Sequence, residues 1–256
     1  MTRHHLPAKP GTVRWGHWDG SLPPVLTIRS GDTVTQIELR QDWGWNLQVP
    51  LRGTLPEDFP ELRRLHVPLD RKNNRARMPW GQDLALEPFF GNFGVAPPLH
   101  WGRLSSKEPR VFGGNMDNKE LGAGTTTYFP VFVDGALFSA GDGHALQGDG
   151  EVCLTAIETS LTGTFEFIVR TDMKLELPRA EKPDAWITMG FDEDLDDAVK
   201  QALRDMIKLI GELSGLSPQD AYTLCSIAAD LRVTQTVDGN KSIHCVLAKT
   251  KLPARR

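Results

Sequence analysis

Up to about residue 190 the apolar residues come in short runs, each bounded by Gly, Pro or small polar residues. Closely spaced runs of that kind, without helical patterns between them, suggest a β-sandwich or barrel. Val25-Leu26-Thr27-Ile28, then Ser30-Gly31-Asp32, then Thr33 to Leu39 read as strand, turn and strand. Further strands are expected over Thr126 to Val133, Ala136 to Ser139, Val152 to Glu158, Thr164 to Arg170 and Asp172 to Leu177. Residues 52–80 are polar, proline-broken and basic in "DRKNNRAR", and read as a long loop.

From about residue 191 the pattern changes. "DEDLDDAVKQALRDMIKLIGEL" opens on acids that suit a helix N-terminus, and Leu195, Val199, Ala202, Leu203, Met206, Ile207, Ile210 and Leu213 form one helical stripe. "SGLS" ends it, and Ser217-Pro218 caps and starts a second helix running to about Asp230. "LRVTQTVDGNKSIHCVLAK" then reads as a hairpin turning at Asp238-Gly239. The expected fold is mainly β: a β-rich body over about 1–190, then a helical hairpin and a terminal β-hairpin over about 191–256, all in one domain spanning 1–256.

Composition narrows the function. The net charge is −4, from 29 basic and 33 acidic residues, so nothing favours nucleic acid as a partner. No apolar run approaches the ~18 residues of a membrane span, and "MTRHHLPAKPG" is not a signal peptide, so a cytoplasmic protein without a membrane partner is expected. Three cysteines without CxxC spacing suggest neither a disulfide framework nor a thiolate zinc site. Nucleophile-elbow, HExxH and P-loop motifs are all absent.

The chemistry concentrates in "GDGHALQGDGE", residues 141–151. On a strand, Asp142 and His144 would share a face, with Gly141 and Gly143 leaving the other face open to a neighbouring backbone. Gly148 and Gly150 suit a tight return, and Asp149 and Glu151 would share a face if Asp149 is already extended. Unpaired burial of so many carboxylates costs several kcal/mol per charge, so a cation is expected nearby. Aspartate oxygen with histidine nitrogen suits zinc or a similar divalent metal ion, which acidifies water and polarises a carbonyl. Asn115 and Asp117, two apart in "GGNMDN", could join the site, and Glu151 could take a proton from water. The bland alternatives stay open: an Asp/Gly turn, a surface His, and for Cys153 either a nucleophile or a small buried hydrophobe.

The run "FGGNMDNKELGAGTTTYFPVFVDGALFSAGDGHALQGDGEVCLTAIE", residues 112–158, closely resembles the acetamidase/formamidase family, with GGNxD, GDxH, QGDGE and AIE in order. "GNFGVAPP" at 91–98, "HWDGSLPPVLTIRSGDTV" at 17–34 and "GLSPQDAYTLCSIAADLRVTQTVDGNK" at 215–241 extend the likeness. The resemblance implies a jelly-roll-like β-sandwich with helical additions, a homo-oligomer, and metal-dependent hydrolysis of a short amide to carboxylate and ammonia. It points to Asp117, Asp142 and His144 as metal ligands and Glu151 as the base. Asn115 and Gln147 would recognise the amide, with His17 and Asp149 as further candidates; the alternative is a non-catalytic ligand-binding scaffold. One family segment, G-P-x-x-V-x-G-A-x-P-G-D, has no counterpart: "LHVPLDRKNNRARMPWGQDL" lies there instead.

Overall fold

The computed structural model describes residues 1–37 and 41–255. Its architecture is three layers: a large antiparallel sheet, a smaller antiparallel sheet and a pair of helices. The large sheet has eight strands in the spatial order Gly113–Asn115, Phe89–Gly94, Ser139–Leu146, Ile157–Glu158, Trp43–Gln48, Arg63–Asp70, Arg75–Arg77 and Asp83–Ala85. The smaller has five, in the order Thr126–Tyr128, Arg179–Glu181, Ala185–Asp192, Lys241–Ala248 and Ala229–Gln235. Arg3–Pro7, Thr33–Ile37 and Gly163–Glu166 make a separate three-stranded sheet. The mainly β sandwich with added helices expected from the sequence is what forms.

Alternation along Ala185–Asp192 explains the layering. Ile187, Met189 and Phe191 point into the core shared with Phe90, Phe93 and Met116 of the large sheet. The opposite face, with Thr188 and Gly190, meets helix α1 (Leu195–Ser214). A Cβ on Gly190 would collide with the Ala198 carbonyl and meet Ala202 N at 2.8 Å, so glycine is what lets the helix lie this close. α1 buries Ala198, Ala202, Met206, Leu209 and Ile210 with Ile243, Cys245 and Leu247, each large side chain contributing roughly 1.5–3 kcal/mol. Asp194 caps α1 through the amides of Asp196 and Asp197, and Gly215 ends it in a left-handed turn. Helix α2 (Pro218–Ala228) starts on Ser217 as expected and stops two residues before Asp230, where the chain extends into Ala229–Gln235.

Several sequence expectations need correction. Residues 25–28 and 172–177 form no strand, and 152–156 is turn and coil, leaving only Ile157–Glu158 extended. The expected strand over 33–39 is seen as Thr33–Ile37; its last two residues lie outside the described ones. The supposed loop over 52–80 contains the strand Arg63–Asp70, where Leu65, Val67 and Leu69 alternate inward. Within "DRKNNRAR" residues 71–74 are its hairpin turn, closed by Asp70 accepting from Asn73 N at 3.0 Å and Asn73 Nδ2 at 2.7 Å, and Arg75–Arg77 is the returning strand. The charge of the turn had masked the period-2 pattern beside it.

Arg179 is fully buried and ties the small sheet to α1. Its Nε and Nη2 donate to the two Asp205 oxygens at 2.7 and 2.6 Å, and its Nη1 donates to Glu212 at 2.7 Å. Removing one partner strands a buried charge, so Asp205→Ala should lower unfolding free energy by about 3–5 kcal/mol in urea titration. His244, buried between the sheets with Nδ1 2.8 Å from Thr234 Oγ1, is held down to a pKa of about 4 by burial, against the pull of Asp149 and Glu120. The unfolded chain therefore binds that proton first as pH falls below ~6.5, and stability is lost from there towards pH 4. His244→Gln should remove up to about 3 kcal/mol of that acid sensitivity, read as the difference between unfolding at pH 7 and pH 4.5.

Candidate functional site

At the centre of the large sheet, His144 on the strand Ser139–Leu146 is buried with its ring edge-on to Phe89, centroids 5.0 Å apart. Its Nε2 lies 3.3 Å from Glu158 Oε2, 3.5 Å from Asp142 Oδ2 and 3.8 Å from Asp117 Oδ1. Its Nδ1 lies 2.8 Å from Gln147 Oε1, while Gln147 Nε2 donates to the Asp117 carbonyl at 2.6 Å. A carbonyl can only accept, which fixes the carboxamide with its oxygen towards the ring. Nδ1 must then carry a proton, and in the neutral ring Nε2 presents its lone pair to three carboxylates. That arrangement favours positive charge at Nε2, either a second ring proton or a metal ion in its place.

The local chain is shaped for this meeting. Asp142 and His144 do face one another, although Asp142 adopts φ 62° and so departs from a regular strand. Across the sheet Gly91 makes room: a Cβ there would strike Asp117 Oδ1 and come within 2.9 Å of His144 Nε2. Asp117 sits in a left-handed turn at φ 47° just after Gly113–Asn115, its amide donating to the Gly91 carbonyl at 3.1 Å. Asn115 Nδ2 donates to Asp117 Oδ2 at 2.7 Å. Gly143 gives the expected close backbone approach, its carbonyl accepting from Thr159 N at 2.7 Å.

After Gln147 the loop turns with Gly150 at φ 95° and Glu151 itself at φ 43°. It docks on the C-terminal hairpin: Gly150 N donates to Thr234 O at 2.9 Å, and Thr236 N donates to Gly150 O at 3.1 Å. This brings buried Glu151 against buried Asp238, whose turn is braced by Gln235 Oε1 accepting from Val237 N and Asp238 N at 2.9 and 3.2 Å. Glu158 is buried too, with Oε1 accepting from Ala156 N at 3.0 Å.

Three overlapping sets of groups could each hold a metal ion: Asp117, Asp142 and His144; His144, Glu151 and Glu158; and Asp117, Glu151 and Asp238. Within each set the ligand atoms lie within 4.8 Å of one another. Buried oxygens of Asp117, Glu151 and Asp238 have no hydrogen-bond partner. Oxygen donors with one imidazole fit zinc or a similar divalent ion.

The protonation of the cluster reflects its crowding. Burial and the charge of Glu151 hold the Asp117 carboxyl well above its ordinary range. Burial, then Asp238 and Glu158, push Glu151 up to about 10. Burial raises Asp238 to about 6 and raises Glu158 as well. The His144 imidazole is also held well above its usual value: burial opposes its charge, but Asp142, Glu158 and Asp117 outweigh burial. Asp142, its side chain 35% exposed, marks the solvent side; partial burial works against its ionisation, and His144 more than compensates.

Other candidates lie apart or are differently engaged. Asp149 pairs with Lys119 at 3.1 Å and does not share a face with Glu151. His17, on the short strand His17–Trp18, places Nδ1 2.8 Å from the Trp15 carbonyl and from Arg103. Both ends of the Gln147 carboxamide are held within the cluster. Cys153 is half-buried, with Sγ 3.3 Å from Asn46 Nδ2. Glu158 and Asp238 had not been singled out. Glu158 stood within the AIE motif and Asp238 within a turn motif, but only the docking of distant segments reveals their role.

Comparison with known proteins places this geometry. The model of the Acetamidase/Formamidase family matches residues 104–253. An acetamidase of Mycolicibacterium smegmatis is 52% identical over 44 residues, 17% of this chain and 11% of that protein. A formamidase of Methylophilus methylotrophus is 41% identical over 69 residues, 27% of this chain and 15% of that protein. The chain thus aligns with only a minor part of these curated relatives' lengths. The crystal structure of an acetamidase from Yersinia enterocolitica superimposes with a TM-score of 0.89 at 26% identity, covering 98% of this chain and 93% of that one. The chain belongs to the acetamidase/formamidase family.

Proposed function

We propose that the protein hydrolyses the C–N bond of a short linear amide of the formamide or acetamide class, giving carboxylate and ammonia, at the cluster around His144. The observation that carries this reading is His144 Nε2, held by Gln147 so as to face Asp117, Asp142 and Glu158. Family membership supplies the reaction class. Asp117, Asp142 and His144 would hold a divalent ion, with zinc the best match to the mixed donors. When bound, it supplies Lewis-acid polarisation of a carbonyl and acidifies water.

The protein's own groups do the rest. With a cation beside it to draw down its raised proton affinity, Glu151 would take the proton from water and return it to the departing amine. Asn115, whose nitrogen is committed to Asp117, keeps its carboxamide oxygen for a substrate N–H. Gln147 acts through His144 and Asp117, fixing the ring that faces the reacting groups. We place the protein in the cytoplasm, where its three free cysteines stay reduced, and as a homo-oligomer formed through its sheet edges.

Glu151→Gln should keep zinc at His144 while ammonia release from formamide or acetamide falls by about 10²–10⁴-fold. A wild-type rate in that variant removes Glu151 from the chemistry. Asp142→Ala and His144→Ala should each lose zinc in elemental analysis after gel filtration; stoichiometric zinc in both would refute the ligand set.

A further inference from the structure

One row of residues crosses the large sheet at the level of His144. Phe89, His144, Glu158, Trp45 and His66 are paired in turn across five neighbouring antiparallel strands. Directly paired residues point to the same face, so all five side chains share the face that carries the reacting groups. Phe89, His144 and Glu158 are buried, with Asp117 and Glu151 gathered against the last two. From Trp45 onward the face opens: Trp45 is 39% exposed, Trp43 is 41% exposed, and His66 is exposed as well. Trp43 lies two residues along the strand from Trp45, hence on the same face, and stacks on His66 with ring centroids 5.0 Å apart and planes at 24°.

The fold itself makes little use of these rings. The other face of the strand carries Gly44, where a Cβ would meet Ile157 Cγ2 at 2.6 Å, and behind it lies the core of Val67, Leu69, Ala145 and Ile157. Among the described residues neither Trp43 nor Trp45 belongs to an apolar core. Two half-open indoles and a stacked imidazole side by side form a surface for a ligand rather than a support for the sheet. His66 also stands in the segment 65–84, where the chain departs from the family pattern.

Reach agrees with this. Neighbouring strands lie about 4.8 Å apart, so Trp45 stands one strand from Glu158 and two, or about 10 Å, from His144. An indole covers part of that distance, and a ring one or two carbons beyond a carbonyl at His144 covers the rest. We propose that Trp45 and Trp43, backed by His66, form the acyl subsite of the hydrolase and select acetamides that carry a flat apolar ring, of the phenylacetamide kind, over acetamide itself. The inference rests on the functional reading above and names the substrate within its class. The reaction is unchanged: the oxygen of water forms the new C–O bond, the C–N bond breaks and ammonia leaves, while the ring stays on the indoles.

The experiment compares kcat/KM for phenylacetamide and acetamide, by ammonia release, in the full chain supplied with zinc and in its Trp45→Ala, Trp43→Ala and Trp45→Phe variants. The wild-type protein should favour phenylacetamide by about 10–100-fold, chiefly through KM. Trp45→Ala should cut that ratio by about 10-fold and Trp43→Ala by less, whereas Trp45→Phe should hold it within about 3-fold. Trp45→Leu stands in if the alanine variant unfolds. A wild-type ratio near one, or a ratio untouched in both alanine variants, overturns the subsite and leaves the hydrolase reading standing. An untouched ratio with a smaller species on gel filtration makes the strip a contact between copies and overturns the subsite too. Ammonia from neither amide overturns the hydrolase reading, and the strip is then judged by calorimetric titration with phenylacetamide. Binding about 10-fold tighter to the wild-type protein than to Trp45→Ala supports it, and equal or no binding overturns it.

Discussion

Five carboxylates gathered around one buried histidine repel one another, and the surrounding structure holds them together against that repulsion. Burial in the large sheet removes water that would screen them, and the raised proton affinities of Asp117, Glu151, Glu158 and Asp238 record the result. His144, Asn115 and the Ala156 amide offset only part of this cost. It is met by the two cores on either side of the small sheet, by the Arg179–Asp205 clamp and by the capped helix α1. Three of the acids, Asp117, Asp142 and Glu151, also hold left-handed backbone, a conformation worth of order 1–3 kcal/mol of strain for a residue with a Cβ. Strain and repulsion coincide at one place, as expected where geometry serves chemistry rather than stability.

Much of this was legible before folding. The helical stripe of α1 and the Ser217 cap of α2 are local properties, and so were legible in the sequence. Asp142 and His144 could be paired from strand spacing, and Gly143 from the close approach that spacing demanded. Glu158 and Asp238 were not reached by the same reasoning. Each lies in a segment whose local chemistry is ordinary, a strand end and a hairpin turn, and gains meaning only from what docks against it. The alternation expected from an extended Asp149 does not apply, because Asp149 lies in a turn that Gly150 and Glu151 continue.

The departure from the family pattern over 65–84 has a structural content. The hairpin of Arg63–Asp70 with Arg75–Arg77 extends the large sheet and packs Val67, Leu69 and Ala76 against Ala145 and Ile157. Ala145 adjoins His144 and Ile157 adjoins Glu158, so this region supports the cluster from behind with apolar side chains. Sequence reading mistook it for a loop because a basic turn interrupts a strand pattern that is otherwise regular.

The bridge between Gly150 and Gln235 has a consequence for the order of assembly. Glu151 and Asp238 meet only when the loop after Gln147 seats on the C-terminal hairpin, a contact between remote parts of the chain. Such contacts form late, since the intervening chain must first be ordered. The finished fold brings the Glu151 and Asp238 carboxylates together, and an ion bound between them would hold the hairpin in place by mass action. The loop that carries Glu151 is thus latched to the hairpin that carries Asp238, and a chain that has not seated that hairpin has not assembled the buried cluster.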